Sequence, residues 1–491
     1  MKRLNKSLIS LLIGAAIASQ ASVAAPINNN ISNKLPELGT AAASTLSIEK
    51  EIRVGNAYMM MMRGKLPIVH DPLIDEYIND IGLKLVSQAN DVKTPFNFFM
   101  VQNNAINAFA FFGGNVGIHT GLLLLADNES ELASVLSHEI THVTQRHLAR
   151  SIEERAKNSP ATMAALLGSL ALVMAGAGDA GIAGVQASLA MSQQLSINYT
   201  RSNEREADRI GIELMARSNF NPNSASSFFS KMAQQYRYSS KIPPMLRSHP
   251  VTEQRISETR VRAQGYNPVR VAQSLSFHLA KARILVRFTA KDETIIEDEL
   301  NRMDTKTSPT LLAAQQYGKA LLLLKQNKVE QSLAIIKKLR ASDNANLFYI
   351  DTLSDIYLAL GQPQKAAEVL AFYNDIMPNS QVIALNYATV LKSLEKFDKA
   401  AEVIDDLLLT NPQNVMAWGL LQQIHQKANQ PIKRSIARAE QISLYGNYEK
   451  ALKELYKAHN LIVDEPITQA RIEARIKQFR QMRDELKSLK I

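Results

Sequence analysis

The sequence predicts a mainly helical α+β domain followed by an all-α solenoid, and three observations carry that reading. Residues 47–265 mix helical periodicity with one short, alternating, glycine-marked stretch, and residues after about 276 are almost wholly helix-like and repetitive. Between them, Ala263-Gln-Gly-Tyr-Asn-Pro-Val269 gathers the Gly, Asn and Pro expected of a linker. The domains drawn from this are a leader over 1–25, a first domain over 26–265, a linker and first helix over 266–307, and the repeats over 308–491.

The leader opens on the basic Met1-Lys-Arg-Leu-Asn-Lys6, continues through an apolar run from Leu8 to Ala18, and ends on the small residues Ser22-Val-Ala-Ala25. That is the layout of a cleavable secretory signal, and the apolar run is shorter than the roughly 20 residues that span a bilayer. The chain has no cysteine, which excludes disulfides and thiolate metal sites and leaves His, Asp and Glu as the ligand pool. Its net charge of +10 is spread among nearly as many acids, with no long basic block. Nucleic acid is therefore not an expected partner, whereas peripheral contact with an anionic membrane stays open.

Within the first domain, Leu132-Ala-Ser-Val-Leu-Ser137 runs without a breaker into His138-Glu-Ile-Thr-His142. On a helix the two histidines lie one turn apart on one face, able to offer two imidazoles to one ion, with Glu139 beside them as general base. Position 148 is Leu148, which excludes a third histidine at the extended spacing and points to a glutamate from a later helix. In Asn203-Glu-Arg-Glu-Ala-Asp-Arg-Ile-Gly-Ile212, Glu204 lies one turn before the apolar stripe of Ala207, Ile210, Gly211 and Leu214. It is the expected third ligand, because a buried carboxylate is costly unless paired or metal-bound. Asp208, one further turn along that face, is placed to hold a ligand imidazole, while Glu206 belongs to the solvent side with Arg209 and Glu213. This is a gluzincin-type ligand set for one Zn2+ per chain, in which the ion lowers the pKa of a water toward about 7 and Glu139 takes its proton.

Other segments carry weaker signals. Asn107-Ala-Phe-Ala-Phe-Phe-Gly-Gly114, followed by Asn115-Val-Gly-Ile-His-Thr-Gly121, reads as a turn into a strand. Asn107, Gly114, Asn115 and Val116 mark a candidate edge for an extended substrate, with a hairpin that merely closes the core as the alternative. His249, in a proline-flanked loop, has three open roles: a reversible fourth zinc ligand, a hydrogen-bond partner of the transition state, or a plain loop histidine. His119 and the histidines at 70, 147, 278, 425 and 459 lack ligand spacing and read as structural. The Ala/Gly-rich stretch 161–191 reads as a lid beside the cleft, with membrane or partner contact as its alternative.

In the second half, Asn327-Lys-Val-Glu-Gln-Ser332, Gly361-Gln-Pro-Gln-Lys-Ala366 and Glu395-Lys-Phe-Asp-Lys-Ala400 recur at the 34-residue period of tetratricopeptide helix pairs. A related unit at Tyr445-Gly-Asn-Tyr-Glu-Lys-Ala451 is out of phase, which places an inserted helix or irregular repeat between Ala417 and Leu444. Stacked helix pairs form a concave surface suited to capturing a peptide or partner.

Over residues 47–262 the motifs resemble the zinc peptidases that include the prenyl-protein endopeptidases and the bacterial heat-shock membrane peptidases. His138-Glu-Ile-Thr-His142 matches the family's helix motif, Glu204 its glutamate ligand and Asp208 its following aspartate; 107–114 and His249-Pro250 look like its flanking motifs. Those relatives carry transmembrane helices, and this chain departs from them in having a cleavable signal and a repeat domain. The resemblance implies a periplasmic zinc metalloendopeptidase near the outer membrane that acts on outer-membrane barrel proteins and other unfolded polypeptides. It also implies chaperone-like help to barrel assembly and contact of the repeats with the barrel assembly machinery or its clients. The alternative is a non-proteolytic periplasmic chaperone or scaffold that works through the repeats.

Overall fold

In the first domain, short polar caps start the helices that carry the core. Ser47 caps α1 (Ile48–Lys65), and Asp71 caps α2 (Pro72–Val86) by accepting from the Leu73 and Ile74 N–H groups. Proline at the first turn of α2 is preorganised for that position. The computed structural model describes residues 46–158, 200–237, 242–267, 272–306 and 308–488, so the signal reading of 1–25 and the lid reading of 161–191 lie outside the described residues.

Three strands follow, β1 (Asn97–Val101), β2 (Ala108–Phe111) and β3 (Asn115–His119). The order is β1-β3-β2: β3 runs parallel to β1, in register from Asn97 opposite Asn115, and antiparallel to β2, with Ala108 opposite Ile118. Gly113 and Gly114 turn the chain between β2 and β3 at φ of 74° and 75°, and a Cβ on Gly114 would lie 1.9 Å from the Pro95 carbonyl oxygen. Only glycine fits there. A bridge from Ile68 to Val101 covers the outer side of β1, so β2 is the free edge among the described residues.

This corrects the expected substrate edge. Asn115 and Val116 sit on the central strand, whose backbone is paired on both sides, and Gly114 belongs to the turn. Asn107 borders the true edge strand, although its own carbonyl already accepts from the His119 N–H.

The helices α3 (Thr120–Leu125), α4 (Glu129–Thr144), α5 (His147–Asn158), α6 (Arg201–Arg217), α7 (Asn223–Tyr236), α8 (Pro244–Ser248) and α9 (Glu253–Gln264) complete this domain. α4 is buried on nearly every face from Ser130 to His142, as a central helix must be. α6 packs directly on it, because Gly211 lets the backbones approach: a Cβ at that position would lie 3.3 Å from Ser137 Oγ.

The rest is helix pairs: α10 (Leu275–Arg287) with α11 (Glu293–Asn301), α12 (Pro309–Lys325) with α13 (Val329–Ser342), and α14 (Leu347–Ala359) with α15 (Pro363–Ile376). Then come α16 (Gln381–Ser393) with α17 (Phe397–Thr410), α18 (Val415–Lys427) with α19 (Pro431–Ser443), and α20 (Tyr448–Asn460) with α21 (Pro466–Ser488). The turn inside four successive pairs holds a left-handed residue, Asn327, Gly361, Glu395 and Asn429, at the repeat spacing. The stretch after Ala417 is thus a regular pair and not an insertion. The segment at 445–451 looked out of phase because its Gly446 turns the chain between two pairs, from α19 into α20. The pair α10–α11 already stacks on α12, so the helical array extends N-terminally of residue 308.

One hydrophobic core crosses from the first domain into the repeats, from Ile74, Phe98 and Val116 through Phe277, Tyr317 and Tyr349 to Val382, and the later repeats have further cores of their own. The far end of the array returns to the first domain, where Arg63 Nη1 donates to the Leu444 carbonyl. No helix among the described residues is long and apolar enough to cross a membrane.

Candidate metal centre

α4 and α6 supply the chemistry. His138 and His142, one turn apart on α4, bring their Nε2 atoms to 3.0 Å of each other. Glu204, in the first turn of α6, sets Oε2 3.5 Å from His138 Nε2 and Oε1 3.4 Å from His142 Nε2. All three side chains are buried. Bond lengths of about 2.0–2.1 Å to a tetrahedral ion imply ligand atoms about 3.3 Å apart, so these spacings fit a zinc-sized cation. The donors suit it as well, two imidazoles and a carboxylate with no softer ligand.

His249, at the end of α8, joins the group. Its Nδ1 stands 2.8 Å from Glu204 Oε1 and 3.3 Å from His138 Nε2, and its Nε2 stands 3.6 Å from Glu139 Oε1. His138, His142, Glu204 and His249 each present one donor atom within 4.8 Å of the others. Glu139 is fully buried, and neither carboxylate oxygen has a hydrogen-bond partner among the described residues. An ionisable group kept in that state is costly and calls for a functional explanation.

Around the ligands stands a polar shell. Asp208 Oδ1 lies 3.0 Å from His138 Nδ1, and Arg255 on α9 grips Asp208 through two hydrogen bonds of 2.8 Å. Arg255 Nη1 also lies 2.7 Å from Glu204 Oε2 and donates to the Pro250 carbonyl at 2.9 Å. Beside His142, His147 Nδ1 lies 2.8 Å from His142 Nδ1, and its Nε2 lies 3.1 Å from Glu206 Oε2. Glu206 keeps a partly exposed side chain, 28% accessible, yet it also accepts from Arg150 Nη2 at 2.8 Å and so joins this shell.

The charges bias these groups strongly. Burial opposes a charge on His138, but Glu204 and Asp208 overcome it and push that imidazole up to about 10. Burial instead wins at His142 and lowers it far below the usual histidine range. At Glu204, burial is outweighed by the His249 and His138 charges, which hold the carboxyl well below the usual range. Asp208 is likewise lowered, the His138 and Arg255 hydrogen bonds exceeding the effect of burial. The acidic neighbours thus favour a positive charge at His138, whereas burial disfavours one at His142.

Sequence reasoning located the ligand group but missed Arg255 and His147. Arg255 was detectable as a cation on the buried stripe Arg255, Ile256, Thr259 and Ala263. His147 gave no such signal, because it reaches His142 across a corner where Arg146 takes a φ of 51°. His119, read as structural, keeps its Nδ1 3.2 Å from the Ala105 carbonyl.

Two histidines one helical turn apart, a glutamate from a second helix and a buried carboxylate beside them define a metallopeptidase of the gluzincin arrangement, here fused to helical repeats. Comparison with known proteins gives the same class: residues 72–263 match the model of peptidase family M48, and 357–424 match a tetratricopeptide repeat. A Vibrio cholerae protein, provisionally named a beta-barrel assembly-enhancing protease, is 44% identical over 95% of this chain and 97% of its own. The beta-barrel assembly-enhancing protease of Escherichia coli strain K12 is 39% identical over 99% of each chain. The mitochondrial metalloendopeptidase OMA1 of Saccharomyces cerevisiae is 30% identical over 42% of this chain and 53% of its own. The chain belongs to peptidase family M48, with the repeat-bearing relatives that carry the barrel-assembly name.

Proposed function

We propose that this protein is a periplasmic endopeptidase using one Zn2+ per chain, that it removes outer-membrane barrel proteins stalled in assembly, and that it assists those still assembling. The observation that carries the chemistry is the convergence of His138, His142 and Glu204 beside the buried carboxylate of Glu139, which has no hydrogen-bond partner among the described residues. The names of the full-length relatives support the substrate class.

His138, His142 and Glu204 would hold the ion, which when bound supplies a Lewis acid that acidifies water and polarises a peptide carbonyl. Glu139 takes a proton from the attacking water as its oxygen bonds to the carbonyl carbon, and returns that proton to the amine as the C–N bond breaks. Asp208 keeps the His138 ring oriented, with Nε2 turned to the ligand group. An extended substrate adds to the free edge of β2, where Ala110 and Phe111 line a small cleft with His142. His249 acts as a reversible plug, a reading supported by its approach to both Glu204 and Glu139. That closed arrangement favours a second reading, a resting chaperone-like state in which the repeats engage clients without cleavage.

Zinc content and casein cleavage of the mature chain test the proposal, with Glu139→Gln and Glu204→Ala alongside. The expected result is one zinc and cleavage in the parent, zinc without cleavage in Glu139→Gln, and lost metal in Glu204→Ala. A parent that holds zinc, does not cut, and gains no activity in His249→Ala would leave the chaperone reading.

A further inference from the structure

We infer that His147 and Glu206 form a positioning relay that fixes the ring and tautomer of His142 for metal binding, an inference that rests on the zinc reading above. The observation behind it is an asymmetry between the two ligand imidazoles. His138 has a carboxylate at its outer nitrogen, Asp208 at 3.0 Å. His142 has another imidazole there, with a carboxylate one step further out.

The proton placement follows from the geometry. A neutral imidazole carries one N–H, and His142 needs its Nε2 lone pair free to bind a cation, so its proton is on Nδ1. That proton points at His147 Nδ1, 2.8 Å away, which must then accept. The single proton of His147 is left on Nε2, 3.1 Å from Glu206 Oε2, where a carboxylate accepts it. The chain reads His142 Nδ1–H to His147 Nδ1, then His147 Nε2–H to Glu206, and every partner has the right polarity.

The fold is built to hold this chain. Arg146 breaks α4 in the left-handed region, and its guanidinium is tied to Glu51 and to the Leu46 carbonyl. The corner makes His147 the first residue of α5 and buries its ring completely against His142. Glu206 is fixed in turn by Arg150. α6 thus acts as a comb of three carboxylates: Glu204 in the ligand group, Asp208 directly behind His138, and Glu206 behind His142 through His147. A plain core histidine would need only hydrogen-bond partners; the relay requires a proton on one particular nitrogen of each ring.

The test uses the full mature chain, with zinc affinity read by chelator competition and proton positions read from nitrogen–hydrogen correlation spectra of labelled histidines. His147→Leu is expected to weaken zinc binding by about 10–100-fold, the effect typical of losing a partner behind a ligand. His147→Asn, whose side-chain oxygen occupies the place of Nδ1 and can accept, is expected to recover most of that loss. In the zinc-loaded parent, His142 should carry its proton on Nδ1 and His147 on Nε2. Parent-like zinc affinity in His147→Leu, equal losses in the Leu and Asn variants, or a proton on His147 Nδ1 would each overturn the relay while leaving the metallopeptidase reading intact. If His147→Leu does not fold, the parent spectrum alone decides. A parent that binds no zinc overturns both readings together.

Discussion

Arg283 and Asp351 stand 68 residues apart in the chain and 2.7 Å apart in the fold, at the same position of helix pairs separated by two repeats. Arg283, 1% exposed, also binds Asp71 at 2.7 Å and the Tyr317 hydroxyl at 3.0 Å through its guanidinium, and Tyr317 lies halfway between Arg283 and Asp351 at 34 residues. One buried cation therefore joins the cap of α2 in the peptidase domain to two repeats. Burial alone would raise the Asp351 carboxyl, but the Arg283 and Arg287 charges, together with hydrogen bonds from Asn386 and Arg283, outweigh it and hold the carboxyl below its usual range.

Arg283→Met should accordingly destabilise the whole chain by about 3–5 kcal/mol, because it strands two buried carboxylates. Asp351→Asn should cost less, since Asp71 still neutralises the arginine. Urea unfolding followed by circular dichroism checks both, and because the hydrophobic core is shared, one transition covering both halves is the expected form.

A cavity of about 390 Å³ between α2 and α14 holds Glu76, whose carboxyl is pushed up to about 7 by burial and then by the nearby Asp80 charge. The folded chain keeps a proton that the unfolded chain loses near 4.5, so stability falls as pH rises from about 4.5 to 7 and levels off above that. Glu76→Gln should remove this slope and raise stability at neutral and higher pH. Urea midpoints for parent and variant at about pH 5 and about pH 8 should then differ less in the variant.

Glu395 has a φ of 58° in a turn where the equivalent residues are Asn327, Gly361 and Asn429. A glutamate pays for the left-handed region without the local hydrogen bonds asparagine can make. Glu395→Gly should stabilise the chain by up to about 1 kcal/mol, the strain relief exceeding the added freedom of the unfolded state. Thermal melting of this variant beside Asn327→Gly, for which a smaller gain is expected, measures the difference.

Those left-handed turns explain why the repeats were legible. Asn327, Gly361 and Glu395 open the three segments whose recurrence shows in the sequence, because every pair must turn at the same place. The ligand group was legible for a similar reason: helical spacing puts His138 beside His142 and turns Glu204 inward. What sequence spacing could not supply were contacts set by packing between elements. β3 lies in the middle of the sheet because the chain after Val101 crosses back to pair Asn115–His119 on β1, and no local pattern encodes that order. Likewise, Gly, Asn and Pro near 263–269 mark a break in the chain, yet Phe277 and Tyr317 continue the same core beyond it.

Arg255 is the sharpest case of a residue set by packing, and its role is open to direct measurement. It holds Asp208 by two hydrogen bonds, lies 2.7 Å from Glu204, and secures the Pro250 carbonyl next to His249. Lysine can keep the charge but offers no planar fork, so it can satisfy one of these partners and not all. Arg255→Lys should lower zinc affinity by about tenfold and Arg255→Met by more, within the range seen when support behind a metal ligand is lost. Cleavage at saturating zinc should fall much less in Arg255→Lys, with KM near the parent value, because the contact acts on the ligands and not on the peptide. Equal zinc affinity in parent and Arg255→Met would show that Asp208 and Glu204 hold their positions without the guanidinium.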